Sequence, residues 1–295
     1  MKEMIIQLNG LSHQIYTWGD SSLPCLFMIH GWLDSGLSFQ FLAEELAEQF
    51  YCIAPDLRGF GKTEHCLDPI GYFFEQYFCD IHDLLNQFSA HKKVFVLGHS
   101  MGGILLSYYC GAFPDRVEAF INLEGLGTRS NRTYEAPDLL RNWVLSRGQL
   151  PYKVFLSRQD YKTRFLRRNP GVPDKKLEFI MEGLLRKLPV EEQWTLRADS
   201  KHFMPSPSPF FPSELHPFLK KTRAKCLVVV GTHSHYLKWI GVSTWSRMAL
   251  KWRFRHLRRF QLLFIEGAGH MLHLGDSQEL GKVVIQFLNS SEKMR

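Results

Sequence analysis

Hydrophobic and polar residues alternate with two different periods along the chain. Two segments with strict alternation, MIIQLNG (4–10) and HQIYTWGD (13–20), predict a hairpin of half-buried strands. The continuous apolar run PCLFMIH (24–30) stops at a glycine and predicts a strand buried on both faces. Strands of this second kind are also predicted at 51–56, 93–98, 117–125, 225–231 and 260–267.

Segments with apolar residues at helical spacing lie between these strands. They predict helices at 37–50, 72–88, 101–112, 236–256 and 274–289. Strands that alternate with helices imply right-handed crossover connections. The expected fold is therefore an α/β fold, with a mostly parallel central sheet flanked by helices.

The alternation of strands and helices stops between residues 126 and 222. This segment has no clear buried strand, is rich in Arg, Lys and Pro, and contains amphipathic stretches such as KKLEFIMEGLLRKL (175–188). We predict a helical cap insertion at 126–222, set into a core formed by residues 1–125 and 223–295.

Composition limits the class of protein. The chain has 295 residues, of which 45% are hydrophobic and 22% charged, as expected for a folded protein with one large core. Its start does not resemble a signal peptide, and no apolar run approaches the roughly 20 residues of a membrane span. The six cysteines lack metal-ligand spacing, and several lie in apolar runs, which favours a reducing, cytoplasmic location.

Positive charge is concentrated in the second half of the chain. The net charge is +7, and residues 126–225 hold 20 Lys or Arg against 10 Asp or Glu. Residues 226–265 hold seven basic residues and no acid. A solvated basic face is the favoured interpretation, and an anionic partner is the alternative. The basic, aromatic segment 236–260 either packs on the sheet, which we favour, or lies on an anionic membrane surface. No motif supports nucleic-acid binding.

One motif carries a specific chemistry. VLGHSMGG (96–103) places Gly98, Ser100 and Gly102 at the spacing of a nucleophile elbow, between a predicted strand and a predicted helix. Such a turn is sharp, and glycines remove the β-carbons that would collide there. The motif predicts that Ser100 is a nucleophile at the end of the sheet, next to the first N–H groups of a helix.

Three further motifs make the chain resemble the α/β-hydrolase family over almost its whole length. They are IHGW (29–32), PDLRGFGKT (55–63) and GAGHMLHL (267–274). The stretches HGWLDSGLSF, GHSMGG and LEGLG are most similar to the serine-hydrolase-like branch of the family. The resemblance is weakest in the insertion, which takes the place of the family's cap.

The resemblance implies a base for the serine. His270 follows a buried strand near the C-terminus and is the expected catalytic base. His273 is the competing candidate, and His99 is expected to pack beneath the elbow. The backbone N–H groups of Trp32 and Met101 are expected to form the oxyanion hole.

The position of the catalytic acid departs from the common pattern. Most α/β-hydrolases place the acid after the strand predicted at 225–231, where this chain has GTHSHY, with Ser234 in place of an aspartate. Some relatives place it one strand earlier, where this chain has AFINLEG, ending in Glu124 and Gly125. We predict that Glu124 is the acid. The alternatives are a structural Glu124 bonded to the cap backbone or paired with Arg129, and a Ser–His dyad without an acid.

These residues predict a serine hydrolase that cleaves a carboxylic ester or thioester of a small-molecule substrate through an acyl-enzyme on Ser100. No metal or other cofactor is needed. A non-catalytic binding or receptor protein on the same scaffold is the alternative. The sequence specifies neither the substrate nor the oligomeric state. Four aromatic residues are candidates for an apolar pocket lining: Trp32, Trp143, Trp194 and Phe203.

Overall fold

An eight-stranded sheet forms the centre of the protein. The computed structural model describes residues 1–90, 92–127, 135–147, 153–189, 193–208, 211–236, 240 and 247–290. The strands of the large sheet are β1 (Lys2–Leu8), β2 (Leu11–Trp18), β3 (Cys25–Ile29), β4 (Tyr51–Pro55), β5 (Val94–His99), β6 (Val117–Leu123), β10 (Lys225–Gly231) and β11 (Phe260–Ile265). Their spatial order is β1-β2-β4-β3-β5-β6-β10-β11.

The strand pairing confirms the α/β fold with a mostly parallel sheet. β1 and β2 form the predicted antiparallel hairpin, and Asn9 and Gly10 in its turn both have positive φ angles. β2 is antiparallel to β4, and the six strands from β4 to β11 run parallel. The carboxyl ends of the parallel strands therefore meet at one edge of the sheet, where sites of such folds lie.

Both faces of the sheet are covered by helices. These are α1 (Gln40–Leu46), α2 (Phe74–Phe88), α3 (Met101–Ala112), α4 (Ala136–Ser146), α5 (Arg158–Arg168), α6 (Asp174–Leu184), α7 (His216–Lys221), α8 (Arg247–Arg253), α9 (Leu272–Gly275) and α10 (Ser277–Asn289). In β3, Leu26 and Met28 pack into the core on one face, while Phe27 and Ile29 pack into the core on the other. A strand buried on both faces explains why its sequence is continuously apolar.

The segment between β6 and β10 contains a small sheet as well as helices. Three antiparallel strands, β7 (Val154–Phe155), β8 (Leu185–Lys187) and β9 (Trp194–Leu196), are arranged in the order β7-β9-β8. The prediction of a purely helical insertion at 126–222 is therefore incomplete, and the helix predicted over 175–188 ends at Leu184. Strands of two or three residues are too short to produce a recognisable alternation.

The helix predicted at 236–256 is only partly described. Residues 237–239 and 241–246 lie outside the described residues, and α8 accounts for the last part of the prediction. Within α8, Leu250 is fully buried, whereas Met248 and Trp252 are 79% and 63% exposed. Among the described residues, the structure contains no helix with the length and apolar character needed to span a bilayer.

Candidate active site

Ser100 occupies a strained turn between β5 and α3. Its φ and ψ angles are 51° and −114°, outside the regions that residues with a side chain normally adopt. Its backbone N–H donates to the Leu123 carbonyl at 2.8 Å, and its own carbonyl accepts from Ile104 in the first turn of α3. The nucleophile elbow predicted from the sequence thus has the expected strand–turn–helix geometry.

Glycines make this turn sterically possible. A β-carbon on Gly98 would lie 2.5 Å from the backbone of Gly102, and one on Gly102 would overlap the Ile29 carbonyl. A β-carbon on Gly103 would lie 2.8 Å from the Asn122 side chain. Because backbone and β6 occupy this space, α3 can approach the sheet closely only without these side chains.

Ser100, His270 and Glu124 form one hydrogen-bonded chain. The Nε2 atom of His270 lies 3.1 Å from Ser100 Oγ, and its Nδ1 atom lies 3.1 Å from Glu124 Oε2. The imidazole is 17% exposed and the carboxylate is fully buried. The structure therefore brings together the three side chains that the sequence singled out as nucleophile, base and acid.

A second strained turn holds Glu124 in place. Glu124 has a φ angle of 61° and follows directly on β6. Asn122 stabilises this turn with two hydrogen bonds. Its Oδ1 accepts from the Gly125 N–H at 2.7 Å, and its Nδ2 donates to the Gly125 carbonyl at 3.0 Å. This pair of bonds, which the sequence analysis missed, turns the Glu124 side chain towards β10.

The loop after β10 supplies donors to Glu124 in place of a second acid. The Gly231 N–H donates to Oε1 at 2.7 Å, and the Ser234 hydroxyl donates to Oε2 at 2.5 Å. With His270, three groups surround the carboxylate. The suggested partner Arg129 lies outside the described residues. In the sequence, Ser234 indicated only a missing aspartate, whereas in the structure its hydroxyl donates to the carboxylate of Glu124.

Burial dominates the electrostatics of the pair. It raises the pKa of Glu124 to about 8, and the hydrogen bonds from Ser234 and Gly231 act in the opposite direction. Burial also lowers the pKa of His270 to about 4, with a further decrease from the nearby His235. Burial thus favours the uncharged form of each group, and their contact at 3.1 Å makes the two groups titrate as a coupled unit.

Backbone donors lie beside Ser100. Met101 is the first residue of α3, so its N–H has no acceptor within the helix. The chain just before Trp32 passes close to the serine, since a β-carbon on Gly31 would lie 3.1 Å from Ser100 Cβ. The Met101 N–H and the chain segment that leads into Trp32 therefore lie beside Ser100.

His30 fixes the direction of the peptide between Gly31 and Trp32. Its Nε2 accepts from the Leu57 N–H at 2.9 Å, so Nδ1 carries the proton and donates to the Gly31 carbonyl at 2.7 Å. A trans peptide directs its N–H opposite to its carbonyl, and the described chain has no cis peptide bonds. The Trp32 N–H therefore points away from the buried His30. His30 belongs to the sequence motif IHGW (29–32), so the motif could have indicated this role.

The other two candidate histidines lie behind the site. His99 is buried and faces the His270 carbonyl through Nε2 at 2.9 Å, as expected for a residue beneath the elbow. His273 is fully buried in α9, with its Nε2 3.3 Å from Ser38 Oγ. His270 is therefore the histidine in contact with Ser100.

A buried cluster near Asp34 has the donor atoms to hold a metal ion. Asp34, His99 and His273 bring one carboxylate oxygen and two imidazole nitrogens within 4.8 Å of one another. Such a mixed nitrogen and oxygen set suits a divalent transition metal. Asp34 Oδ2 already accepts from the Ser38 hydroxyl at 3.0 Å, and burial raises the pKa of Asp34 to about 7.

The loop PDLRGFGKT supports the site without entering it. Asp56 is buried and accepts hydrogen bonds from the Ser35 hydroxyl at 2.6 Å and from the Gly36 and Lys62 N–H groups at 2.7 Å. Arg58 is buried against Asp80 through two bonds of 2.6 Å. These contacts give both residues structural roles beneath the site.

A cavity of about 1930 Å³ opens onto Ser100 and His270. Trp32 and Trp143 line it, as expected. Phe203 does not line it and packs edge-to-face on Trp32, with 5.4 Å between the ring centroids. The prediction for Trp194 is wrong, because this residue is part of β9 and packs under the Arg158 guanidinium, 5.3 Å from the ring centroid. The small sheet that holds it was not apparent from the sequence.

The fold and the hydrogen-bonded chain define an α/β hydrolase with a serine at the nucleophile elbow. The family model for the alpha/beta hydrolase fold matches residues 24–277, and the chain belongs to this family.

Three relatives illustrate the likeness. Serine hydrolase-like protein 2 of Homo sapiens is 24% identical over 295 residues, covering 94% of this chain and 90% of the relative. A hypothetical protein from Pseudomonas aeruginosa superposes with a TM-score of 0.85 at 23% identity, covering 98% of this chain and 100% of that one. The thioesterase domain from the curacin biosynthetic pathway superposes with a TM-score of 0.82 at 19% identity, covering 97% and 99%. The relatives place the chain in the serine-hydrolase-like branch of the family.

Proposed function

We propose that this protein hydrolyses carboxylic esters or thioesters through an acyl-enzyme on Ser100. The observation that carries the proposal is the chain of two 3.1 Å contacts from Ser100 through His270 to Glu124, at the edge of a large cavity. A serine hydroxyl is a weak nucleophile at neutral pH unless a neighbouring base takes its proton. The thioesterase named among the structural relatives supports a thioester as one of the two bond types.

Acylation begins with proton transfer from Ser100 Oγ to His270 Nε2. The oxygen attacks the carbonyl carbon, and the negative charge that develops on the carbonyl oxygen is stabilised by the N–H groups of Trp32 and Met101. One such donor contributes about 3–4 kcal/mol to the transition state. His270 then gives its proton to the departing alcohol or thiol, leaving the acyl group on the serine.

Deacylation repeats these steps with water. His270 takes a proton from water, which attacks the acyl-enzyme, and the carboxylic acid is released with regeneration of Ser100. Throughout, the ionised Glu124 holds the Nδ1–H of His270 and stabilises the imidazolium. We also propose that the segment 126–222 acts as a cap, because its residues Trp143, Phe155 and Tyr161 line the cavity opposite the sheet edge.

Labelling by a fluorophosphonate probe tests this proposal, with Ser100→Ala as the matched variant. The wild-type protein is expected to be labelled on Ser100 and the variant to remain unlabelled. A wild-type protein that is folded but neither labelled nor active on p-nitrophenyl esters would overturn the proposal and favour the binding-protein alternative.

The Glu124→Gln variant separates a triad from a Ser–His dyad. The amide keeps the size of the side chain but cannot stabilise the imidazolium, so kcat is expected to fall by about 10³- to 10⁴-fold. Unchanged kinetics in a variant with wild-type thermal stability would instead establish the dyad.

A further inference from the structure

A cluster of basic side chains lies at one end of the cavity. Lys153, Arg164, Arg167 and Arg168 all line it, the first just before β7 and the others on the C-terminal half of α5. The Lys153 ammonium and the Arg164 guanidinium both approach the ring of Phe155, at 5.9 and 5.6 Å from its centroid. The structure thus holds two cations beside one aromatic side chain.

These charges are only partly neutralised within the protein. Arg164 pairs with Asp160 at 2.7 Å. No carboxylate in the described part of the chain pairs with Lys153, Arg167 or Arg168. Partial burial lowers the pKa of Lys153, and the nearby Arg168 and Arg164 lower it further. An anion that binds between like charges relieves their mutual repulsion.

Helix α5 connects this cluster to the catalytic end of the cavity. Tyr161, on the same helix, is buried against Phe155 at 5.1 Å, and its pKa is raised by burial and by the Asp34 carboxylate. Asp34 lies 4.0 Å from His99, the neighbour of Ser100 in the elbow. Seven residues of helix separate Tyr161 from Arg168, a rise of about 10 Å.

The other carboxylates of the cavity lie on different elements. Asp34 follows β3, Glu75 lies in the first turn of α2, and Glu214 lies just before α7. Among the described residues, the end formed by β7 and α5 therefore carries an excess of positive charge. The wall between the two ends is rich in aromatic side chains, including Phe155, Tyr161 and Phe165.

We propose that the group Lys153, Arg164, Arg167 and Arg168 binds a phosphate group of the substrate. The substrate class is an acyl ester or thioester that carries a phosphate group remote from its reacting carbonyl. A planar guanidinium group can donate two hydrogen bonds to phosphate oxygens. Several cations are suited to a phosphate dianion, whereas a single carboxylate carries only one negative charge. The acyl chain lies against the aromatic wall. This inference rests on the proposed function.

Two sources supply such a phosphate: a soluble phosphate-bearing thioester, such as an acyl-coenzyme A, and a phospholipid. Hydrolysis of either adds one water across the bond, giving a carboxylic acid with a thiol or an alcohol. The test therefore compares octanoyl-coenzyme A, phosphatidylglycerol vesicles, and the uncharged ester p-nitrophenyl octanoate. Turnover of the first or the second identifies the source.

Arg168→Gln is the informative variant, and Lys175→Gln is its matched control. Lys175 is an exposed basic residue on α6 that does not line the cavity. For the phosphate-bearing substrate, Arg168→Gln is expected to raise KM by about tenfold with little change in kcat, since the lost contact is equal in ground and transition states. Raising NaCl from about 0.05 to about 0.5 M should raise the wild-type KM and affect the variant less.

The outcomes separate this inference from the proposed function. Hydrolysis of p-nitrophenyl octanoate, but of neither phosphate-bearing substrate, would overturn the phosphate site and leave the esterase proposal standing. An equal loss in Arg168→Gln for charged and uncharged substrates would also overturn it, because the arginine would then act through folding. Failure on all three substrates, without fluorophosphonate labelling, would remove the proposed function itself.

Discussion

The hydroxyl of Ser234 donates a 2.5 Å hydrogen bond to Glu124 Oε2, the same oxygen that faces His270. Ser234 stands where an aspartate was expected, and its hydroxyl holds the carboxylate that follows the neighbouring strand β6. A hydrogen bond to the charged form of a carboxyl group lowers its pKa, so Ser234 opposes the effect of burial on Glu124.

Removing this hydroxyl should shift the pH dependence of activity. In Ser234→Ala the pKa of Glu124 should rise further, because one donor to the ionised form is lost. We expect kcat/KM at pH 7 to fall by about tenfold, the effect of about one pKa unit, and to recover at higher pH. Esterase assays from pH 6 to 10 measure this. The exposed Ser21→Ala serves as control, and a uniform loss at every pH would contradict the explanation.

Exchanging the two residues should partly restore a damaged site. Glu124→Ser removes the carboxylate, and adding Ser234→Asp places an acid on the β10 loop, from which the wild-type hydroxyl already reaches Glu124 Oε2. We expect the double variant to be at least about tenfold more active than Glu124→Ser, because the two sites are directly coupled. Ser234→Asp alone should lose stability, since two carboxylates would share one buried site. A double variant no more active than Glu124→Ser would show that an acid on the β10 loop cannot replace the acid that follows β6.

The pH profile of kcat/KM for the wild-type protein should have an ascending limb at alkaline pH. With the pKa of Glu124 raised to about 8 and that of His270 lowered to about 4, the pair retains one shared proton between these values. The active form has lost that proton, so kcat/KM should rise as the pH increases through about 8, above the roughly 6.5 of an unperturbed histidine. In Glu124→Gln the limb should move below about 6.5, towards the lowered pKa of His270 alone. An identical limb in both proteins would exclude the coupling.

Gly102 and Gly171 offer a matched pair of glycine substitutions. Gly102→Ala would place a β-carbon against the Ile29 carbonyl, whereas a β-carbon on Gly171 meets nothing within 4 Å. We expect Gly102→Ala to lower the free energy of unfolding by about 1–3 kcal/mol, as overpacking does. Gly171→Ala should change it by less than about 1 kcal/mol. Urea unfolding of both variants measures this, and equal values would refute the steric account of the elbow.

Most of the sheet and the three linked side chains could be predicted from the sequence. The parallel strands are buried on both faces, as Leu26 and Phe27 in β3 show, so each appears as a continuous apolar run. The elbow requires glycines at fixed positions around Ser100, which makes it visible as a motif. Glu124 was predicted because the family resemblance offers this strand end as a second position for the acid, and because an acid at the end of an apolar strand needs a partner.

The supporting residues could not be predicted for a physical reason. Ser234 and Asn122 have residue types that are common in loops, and only the folded chain brings each of them to the group that it bonds. The small sheet was missed because Val154–Phe155 and its partners are too short to show a period. Trp194 was misplaced for the same reason.

Ser100 directly follows β5 and Glu124 directly follows β6, so the nucleophile and the acid belong to a single strand–helix–strand unit. The β10 loop then contributes an amide and a hydroxyl, both uncharged, and no longer has to carry an ion into the interior. The chain that follows Ser234 therefore does not have to place a carboxylate beside the imidazole. Residues 226–265 contain no Asp or Glu, and His235, directly after Ser234, lowers the pKa of His270.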